Sequence, residues 1–276
     1  MLAKGRGLLS PFSTTAAQYS SRLPALQLPA LQRRQHACLH VTRAAAADES
    51  APVDGGALAK YGGAFALQTG VMTGTLFGLQ QVTQAVGAMD NLPGGVEGET
   101  AAKALVTLFF LVTSIKSRIF SPLDASRPNI KGEKKAIDEK KRPSWMPPPP
   151  VFPIVWSTIG LLRCISSVLV WEASGRDLLT TPLIIFCAHL AIGDVWNHIN
   201  NIEKRMGVAV PGVLCCWASA VAATVAYYQA DHTAGQLLAP SAVWIGIASA
   251  LIYSIWDLNR LPDGSRDSLY PVKQQQ

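Results

Sequence analysis

The chain has 276 residues, 49% of them hydrophobic and only 15% charged, with a positive mean hydropathy of +0.22. That is more apolar than an ordinary soluble domain of this size and makes an integral membrane protein the leading class. Six of the 24 Lys and Arg lie in residues 1–47, which hold no Asp or Glu, leaving 18 cations against 18 acids, so the formal +6 implies no nucleic-acid partner.

Residues 1–47 carry Lys4, Arg6, Arg22, Arg33, Arg34 and Arg43 in a background of Ser, Thr and Ala. They lack the compact apolar core of a secretory signal and read as an organelle transit peptide, plastid favoured over mitochondrion. Residues 48–100 form an N-terminal extension. Within it Tyr61 to Met89 is free of charge, and Ala66, Gly70, Gly74 and Gly78, four apart, predict a smooth face for close helix contact. Gln68, Gln80, Gln81 and Gln84 argue against a lipid-facing span. The expectation is a helix packed on a bundle or lying at the interface, with a sixth span and a Gly-rich linker as alternatives. Asn91-Leu-Pro-Gly-Gly then breaks the chain.

A bilayer core needs about 20 apolar helical residues. Ala104–Phe120 is the first candidate, with Lys116 and Arg118 able to snorkel at its end. A charged loop follows, and then Pro147 to Pro150 leads into the second, Val151–Trp171, with Pro153 in the first turn, where its missing N–H has no helical partner anyway. Read alone, the proline run is a polyproline docking ligand; followed at once by a span, it is a stiff lead-in. Leu178–Ile199 is the third. Met206–Ala230 and Thr233–Trp256 contain no charge at all, and a polar tail, residues 260–276, closes the chain. Fourteen cations, from Lys116 to Lys273, fall on one side of these five spans, and only Arg176 and Lys103 on the other. By the positive-inside rule the long loop and the C-terminus face the stroma or matrix. Cys164, Cys187, Cys215 and Cys216 sit in apolar runs and read as inert buried thiols; no metal site is expected.

Four ordered blocks carry a resemblance over residues 101–259. Lys141-Arg-Pro-Ser-Trp-Met-Pro-Pro-Pro-Pro-Val-Phe-Pro-Ile-Val-Trp156, His189-Leu-Ala-Ile-Gly-Asp-Val-Trp196, Val225-Ala-Tyr-Tyr-Gln229, and Leu237-Leu-Ala-Pro-Ser-Ala-Val-Trp244 running on to Asn259 resemble, in order, K-P-x-W-x-P-P-x-W-V-F-x-x-V-W, Q-L-x-L-N-x-x-W, V-A-W-Y-Q and L-L-x-P-Y-x-x-W…Y-x-x-W-x-x-N. These are blocks of the TspO/MBR family, which includes the translocator protein. The resemblance implies an all-α, membrane-embedded five-helix bundle, here with an extra N-terminal helix.

It also implies a tetrapyrrole, porphyrin or haem, or a lipid-like small molecule bound in the bundle, with no obligatory cofactor, for sequestration, transport or sensing. The bilayer is the other partner, and a homodimer is an allowed assembly. The ligand-binding residues it marks are Trp145, Trp156, Trp196, Tyr227, Trp244 and Ala248. Trp156 and Trp244 match the pair implicated in light-dependent porphyrin breakdown by bacterial members, so they would be the reacting groups if the chain were a photo-oxidising enzyme. A binding protein is the preferred reading, and a scaffold that kept the bundle and lost its ligand is the alternative. The expected location is a chloroplast membrane, envelope over thylakoid, with a mitochondrial membrane as the other choice.

Departures from the pattern are Pro150 for Trp, Gly160 for Tyr, Arg163 for Met, Gly193 for Asn, Asn200-Asn201 for Phe-Phe, Ser241 for Tyr and Ile252 for Asn. Arg163 is therefore read directly. A charge at that depth costs roughly 2.5–3.5 kcal/mol unless paired, so Arg163 should pair with Asp194 or grip a ligand propionate, unless Asp194 simply reaches water. His189 and His198 read as hydrogen-bonding residues ahead of haem ligands. By position alone, Trp171, Trp196 and Trp256, near helix ends, belong to an interfacial belt.

Overall fold

A computed structural model describes residues 52–123 and 140–273. The transit-peptide expectation for 1–47 and most of the charged loop lie outside the described residues. Six long helices follow one another: α1 Gly55–Gly87, α2 Gly98–Lys116 with a 3-10 turn Ser117–Phe120, α3 Val151–Ala173, α4 Thr181–Asn197 with a wider turn His198–Ile202, α5 Met206–Ala230 and α6 His232–Leu258. Helices α2 to α6 are each long and apolar enough to cross a membrane. The chain is an all-α, membrane-embedded five-helix bundle with an added N-terminal helix.

Local chemistry sets the boundaries. Proline opens α3 and α4, at Pro153 and Pro182, where no N–H is needed. The proline run turns rather than extending: Pro150 is α-helical and Val151 N–H donates to the Pro148 carbonyl at 3.0 Å. Helix α4 starts at Thr181 instead of Leu178, because the β-region Thr180 precedes Pro182 at the helix start. Asp231 closes α5 and caps α6, accepting from Ala234 N–H at 2.7 Å. The turn is tight enough that a Cβ on Gly235 would collide with the Tyr228 backbone and Cβ.

The main core draws on all six helices: Met72 and Leu76, Val106 and Phe110, Cys164 and Val170, Leu183 and Phe186, Tyr227, and Leu238, all nearly inaccessible. Helix α1 packs against the bundle as expected, in the groove between α2 and α4, and runs its full height. Tyr61 and Ala64 pack with Val195, Ile199 and Val208 at one end, while Gln80 reaches the α3–α4 turn at the other. It therefore runs alongside the spans, as a helix packed on the bundle, and is not among the five helices long and apolar enough to cross a membrane.

The face that makes the contact differs from the one expected. Tyr61, Ala64, Gln68, Met72, Leu76, Gln80 and Thr83 are buried, whereas Ala66, Gly70, Gly74 and Gly78 are exposed. The reason is angular: a two-residue offset turns a side chain by about 200°, to the opposite side of a helix. Gln68 and Gln80 are spent inward, on polar groups that the five helices leave open. Trp171 and Trp256, expected in an interfacial belt, are only 3% and 6% exposed, and Trp256 Nε1 donates to the Asp267 carbonyl at 2.9 Å.

Residues 260–273 are polar, as expected, and fold back. Asp267 Oδ2 accepts from Gly207 N–H at 2.7 Å, capping the start of α5. Asp54 N–H donates to the Pro271 carbonyl at 2.7 Å beside an antiparallel bridge between Val53 and Val272.

Candidate functional site

Midway along α3, α4 and α6, three side chains absent from the familiar pattern converge. Arg163, 7% exposed, donates from Nε to Ser241 Oγ at 3.0 Å and from Nη2 to His189 Nε2 at 3.0 Å. Proton counting fixes the direction of this chain. Ser219 gives its one proton to the Cys216 carbonyl at 2.9 Å, so in its 2.9 Å contact with His189 Nδ1 it accepts. His189 is then neutral with its proton on Nδ1, and Nε2 is free to accept from Arg163. With both ring nitrogens engaged, His189 is a hydrogen-bonding residue, as its position suggested.

Aromatic groups frame the guanidinium. Its carbon lies 6.0 Å from the centre of the Trp156 ring, within cation–π range, two turns back on α3. One turn from Ser241, Trp244 packs edge-on against Phe152 with ring centres 5.9 Å apart, and its buried indole N–H has no acceptor. Trp156 is 42% exposed, so the cluster opens on that side, and Ala248 lies one turn beyond Trp244 on α6. On the inner side Tyr227 is fully buried with its hydroxyl 2.9 Å from Ser167 Oγ. Ser167 gives its proton to the Arg163 carbonyl at 2.7 Å, so Tyr227 donates.

Of the residues expected to bind a ligand, the structure brings Trp156 and Arg163 together, sets Trp244 one turn from Ser241 against Phe152, and joins Tyr227 through Ser167. Trp196 is occupied elsewhere: its Nε1 donates to the Ala209 carbonyl at 3.1 Å beside Gly212. Trp145 is exposed in the segment before α3. His189 as the partner of Arg163, and Ser241, Ser219 and Ser167 as its supports, escaped the sequence reading. The only signal was that Arg163, Ser241 and His189, which stands at the motif's Gln, depart from the pattern together.

The Arg163–Asp194 pair does not form. Asp194 Oδ2 accepts from Gln68 Nε2 at 2.7 Å, and Arg118 Nε lies 3.8 Å from Oδ1. Two nearer donors satisfy the carboxylate, one of them from α1, which was not weighed as a partner. Asp194 is also 7% exposed and does not open to water. Among the described residues no group of His, Cys, Asp and Glu could hold a metal ion. An apolar groove of about 380 Å³ runs between α5 and α6, lined by Leu214, Trp217, Gly246 and Tyr253, apart from this cluster.

The TspO/MBR family profile matches residues 106–257, more than half of the chain, from within the first span to within the fifth. The chain belongs to the TspO/MBR family. It is 31% identical to Protein CrtK of Rhodobacter capsulatus over 123 residues, 44% of this chain and 77% of that protein. It is 33% identical to the human translocator protein over 128 residues, 46% of this chain and 76% of the relative. The tryptophan-rich sensory protein of Cereibacter sphaeroides is 30% identical over 122 residues, 44% and 75%. Helix α1 precedes the matched region, so within this TspO/MBR protein both α1 and its Gln68–Asp194 contact add to the family bundle.

Proposed function

We propose that this TspO/MBR membrane protein binds a flat apolar ligand, a tetrapyrrole such as a porphyrin or haem, at the Trp156–Trp244 cluster, for sequestration, transport or sensing. The observation that carries the reading is a buried guanidinium beside the exposed Trp156 ring of α3, bonded to Ser241 one turn from Trp244 on α6. Indole faces stack on flat conjugated rings, and such contacts contribute about 0.5–1.5 kcal/mol beyond area burial. The name of one relative, tryptophan-rich sensory protein, agrees with a sensing role. The setting is a plastid membrane reached through removal of residues 1–47, with the C-terminus in the stroma; import of a tagged full-length chain into isolated chloroplasts tests it.

Binding is tested by titrating the protein lacking residues 1–47 with protoporphyrin in the dark, following tryptophan quenching. Saturable quenching that weakens in Trp244→Phe supports the reading. Absence of binding across a panel of porphyrins and chlorophyll precursors sinks it and leaves a scaffold that kept the bundle alone. If binding holds, illumination asks whether Trp156 and Trp244 also degrade the ligand.

A further inference from the structure

Charge is unbalanced at the centre of this bundle. A guanidinium has five N–H donors, and Arg163 uses one on Ser241 and one on His189, both neutral. Its other N–H groups make no hydrogen bond with a described residue, and no described carboxylate pairs with it. Asp194, the carboxylate on the neighbouring α4, is held by Gln68 and Arg118. The polar groups around Arg163 are already turned toward it as acceptors or committed elsewhere. What remains unspent is a full positive charge and, one turn along α6, the unpartnered N–H of Trp244. Both are donors. A lone cation at mid-membrane depth is costly, and such groups mark ligand sites or pair with an opposite charge.

The geometry points to Arg163 as the reader of a carboxylate on the bound ligand. Resting on the ligand reading above, this narrows it from flat and apolar to flat or elongated, apolar and acidic. The apolar body lies against Trp156 and Trp244, and one carboxylate descends to the guanidinium, which is suited to a bidentate fork with carboxylate oxygens. Ser241 and His189 are positioning residues. They hold Nε and one Nη2 proton, leaving the Nη1 edge for the ligand, and the Ser219–His189 bond keeps the imidazole neutral so that it does not compete as a second cation. A porphyrin propionate and a fatty-acid head group offer the same chemistry.

The test compares acids with their esters on the full chain in detergent, in the dark. The probes are protoporphyrin IX against its dimethyl ester by tryptophan quenching, and oleate against methyl oleate as displacing ligands. The acid is expected to bind at least about tenfold more tightly than the ester, the factor that one charge-assisted contact of ~1.4 kcal/mol supplies. The ratio should fall to near one in Arg163→Gln and survive in part in Arg163→Lys. Displacement by oleate and not by methyl oleate assigns the carboxylate to a lipid-derived acid; preference confined to the porphyrin pair assigns it to a tetrapyrrole. Equal affinity for acid and ester in both pairs overturns the inference and leaves tetrapyrrole stacking intact, whereas binding of neither porphyrin removes both. Should Arg163→Gln fail to fold, judged by gel filtration, the acid-to-ester ratio of the unaltered protein decides.

Discussion

At the residue scale the bundle interior contains two separate polar centres, and they should respond differently to substitution. Asp194 accepts from Gln68 and faces Arg118. Removing the carboxylate in Asp194→Ala strands the buried Gln68 amide donor, while Arg118, half-exposed, keeps its bond to Asn197 Oδ1 at 3.0 Å, so the loss should be about 1–3 kcal/mol. Asp194→Asn keeps an acceptor for Gln68 and should lose less. Tyr227→Phe removes a single neutral hydrogen bond to Ser167 and should cost about 0.5–1.5 kcal/mol. Denaturation midpoints of the three variants in one detergent give the order directly; Tyr227→Phe losing more than Asp194→Ala would contradict the assignment of these bonds.

Element by element, α1 shows how far a sequence pattern can be trusted. The five spans were legible because twenty-odd apolar residues in a row leave few alternatives, and the family blocks fixed their order. The orientation of α1 was not legible, because its stripe Ala66, Gly70, Gly74, Gly78 and its stripe Ala64, Gln68, Met72, Leu76, Gln80 share the same four-residue spacing. Only the positions of Asp194 and of the α3–α4 turn, which Gln68 and Gln80 reach, select between them. Gln80 accepts from Leu178 N–H at 2.7 Å and donates to the Arg176 carbonyl at 3.2 Å. Gln80→Ala should therefore cost about 1–3 kcal/mol by stranding buried backbone groups, while Gln81→Ala, on the exposed face, should be near neutral. The glycines divide in the same way. A Cβ at Gly70 meets nothing within 4 Å, so Gly70→Ala should stabilise the helix by up to about 1 kcal/mol, whereas Gly235→Ala should destabilise by about 1–3 kcal/mol through the collision with Tyr228. Loss of stability in Gly70→Ala would mean that the Gly stripe is covered in the assembled protein, the arrangement a homodimer through α1 requires.

On the scale of the whole molecule, a junction of charges fastens α1 to the turn between α4 and α5. Glu203 accepts from Lys60 Nζ at 2.8 Å and from the Tyr61 hydroxyl, and Arg205 Nε lies 3.2 Å away. Partial burial pushes the Glu203 carboxyl up, but the bonds from Lys60 and Tyr61 together with the two cations outweigh it and hold the carboxyl below its ordinary value. A depressed carboxyl stabilises the fold fully above its unfolded value of about 4.3 and loses that contribution as pH falls through the folded value. Stability should thus be flat from pH 7 to about 5 and fall below it, with a shallower fall in Glu203→Gln; identical acid limbs for the two proteins would remove Glu203 as the cause. The junction could not be read from spacing, since Lys60 and Tyr61 reach Glu203 across more than 140 residues only by packing. The same holds for the Arg163 cluster: the sequence marked Arg163 and both tryptophans, yet its neutral partners come from α4, α5 and α6 and announce nothing individually.

Val53 and Val272 bridge, and Asp54 N–H is held by the Pro271 carbonyl. The order of biogenesis follows. Residues 267–272 follow α6 in the chain, so the Gly207 and Asp54 N–H groups gain these acceptors only after all six helices have been made. A chain stopped after Leu258 leaves both ends of that clasp open however well its five spans have inserted.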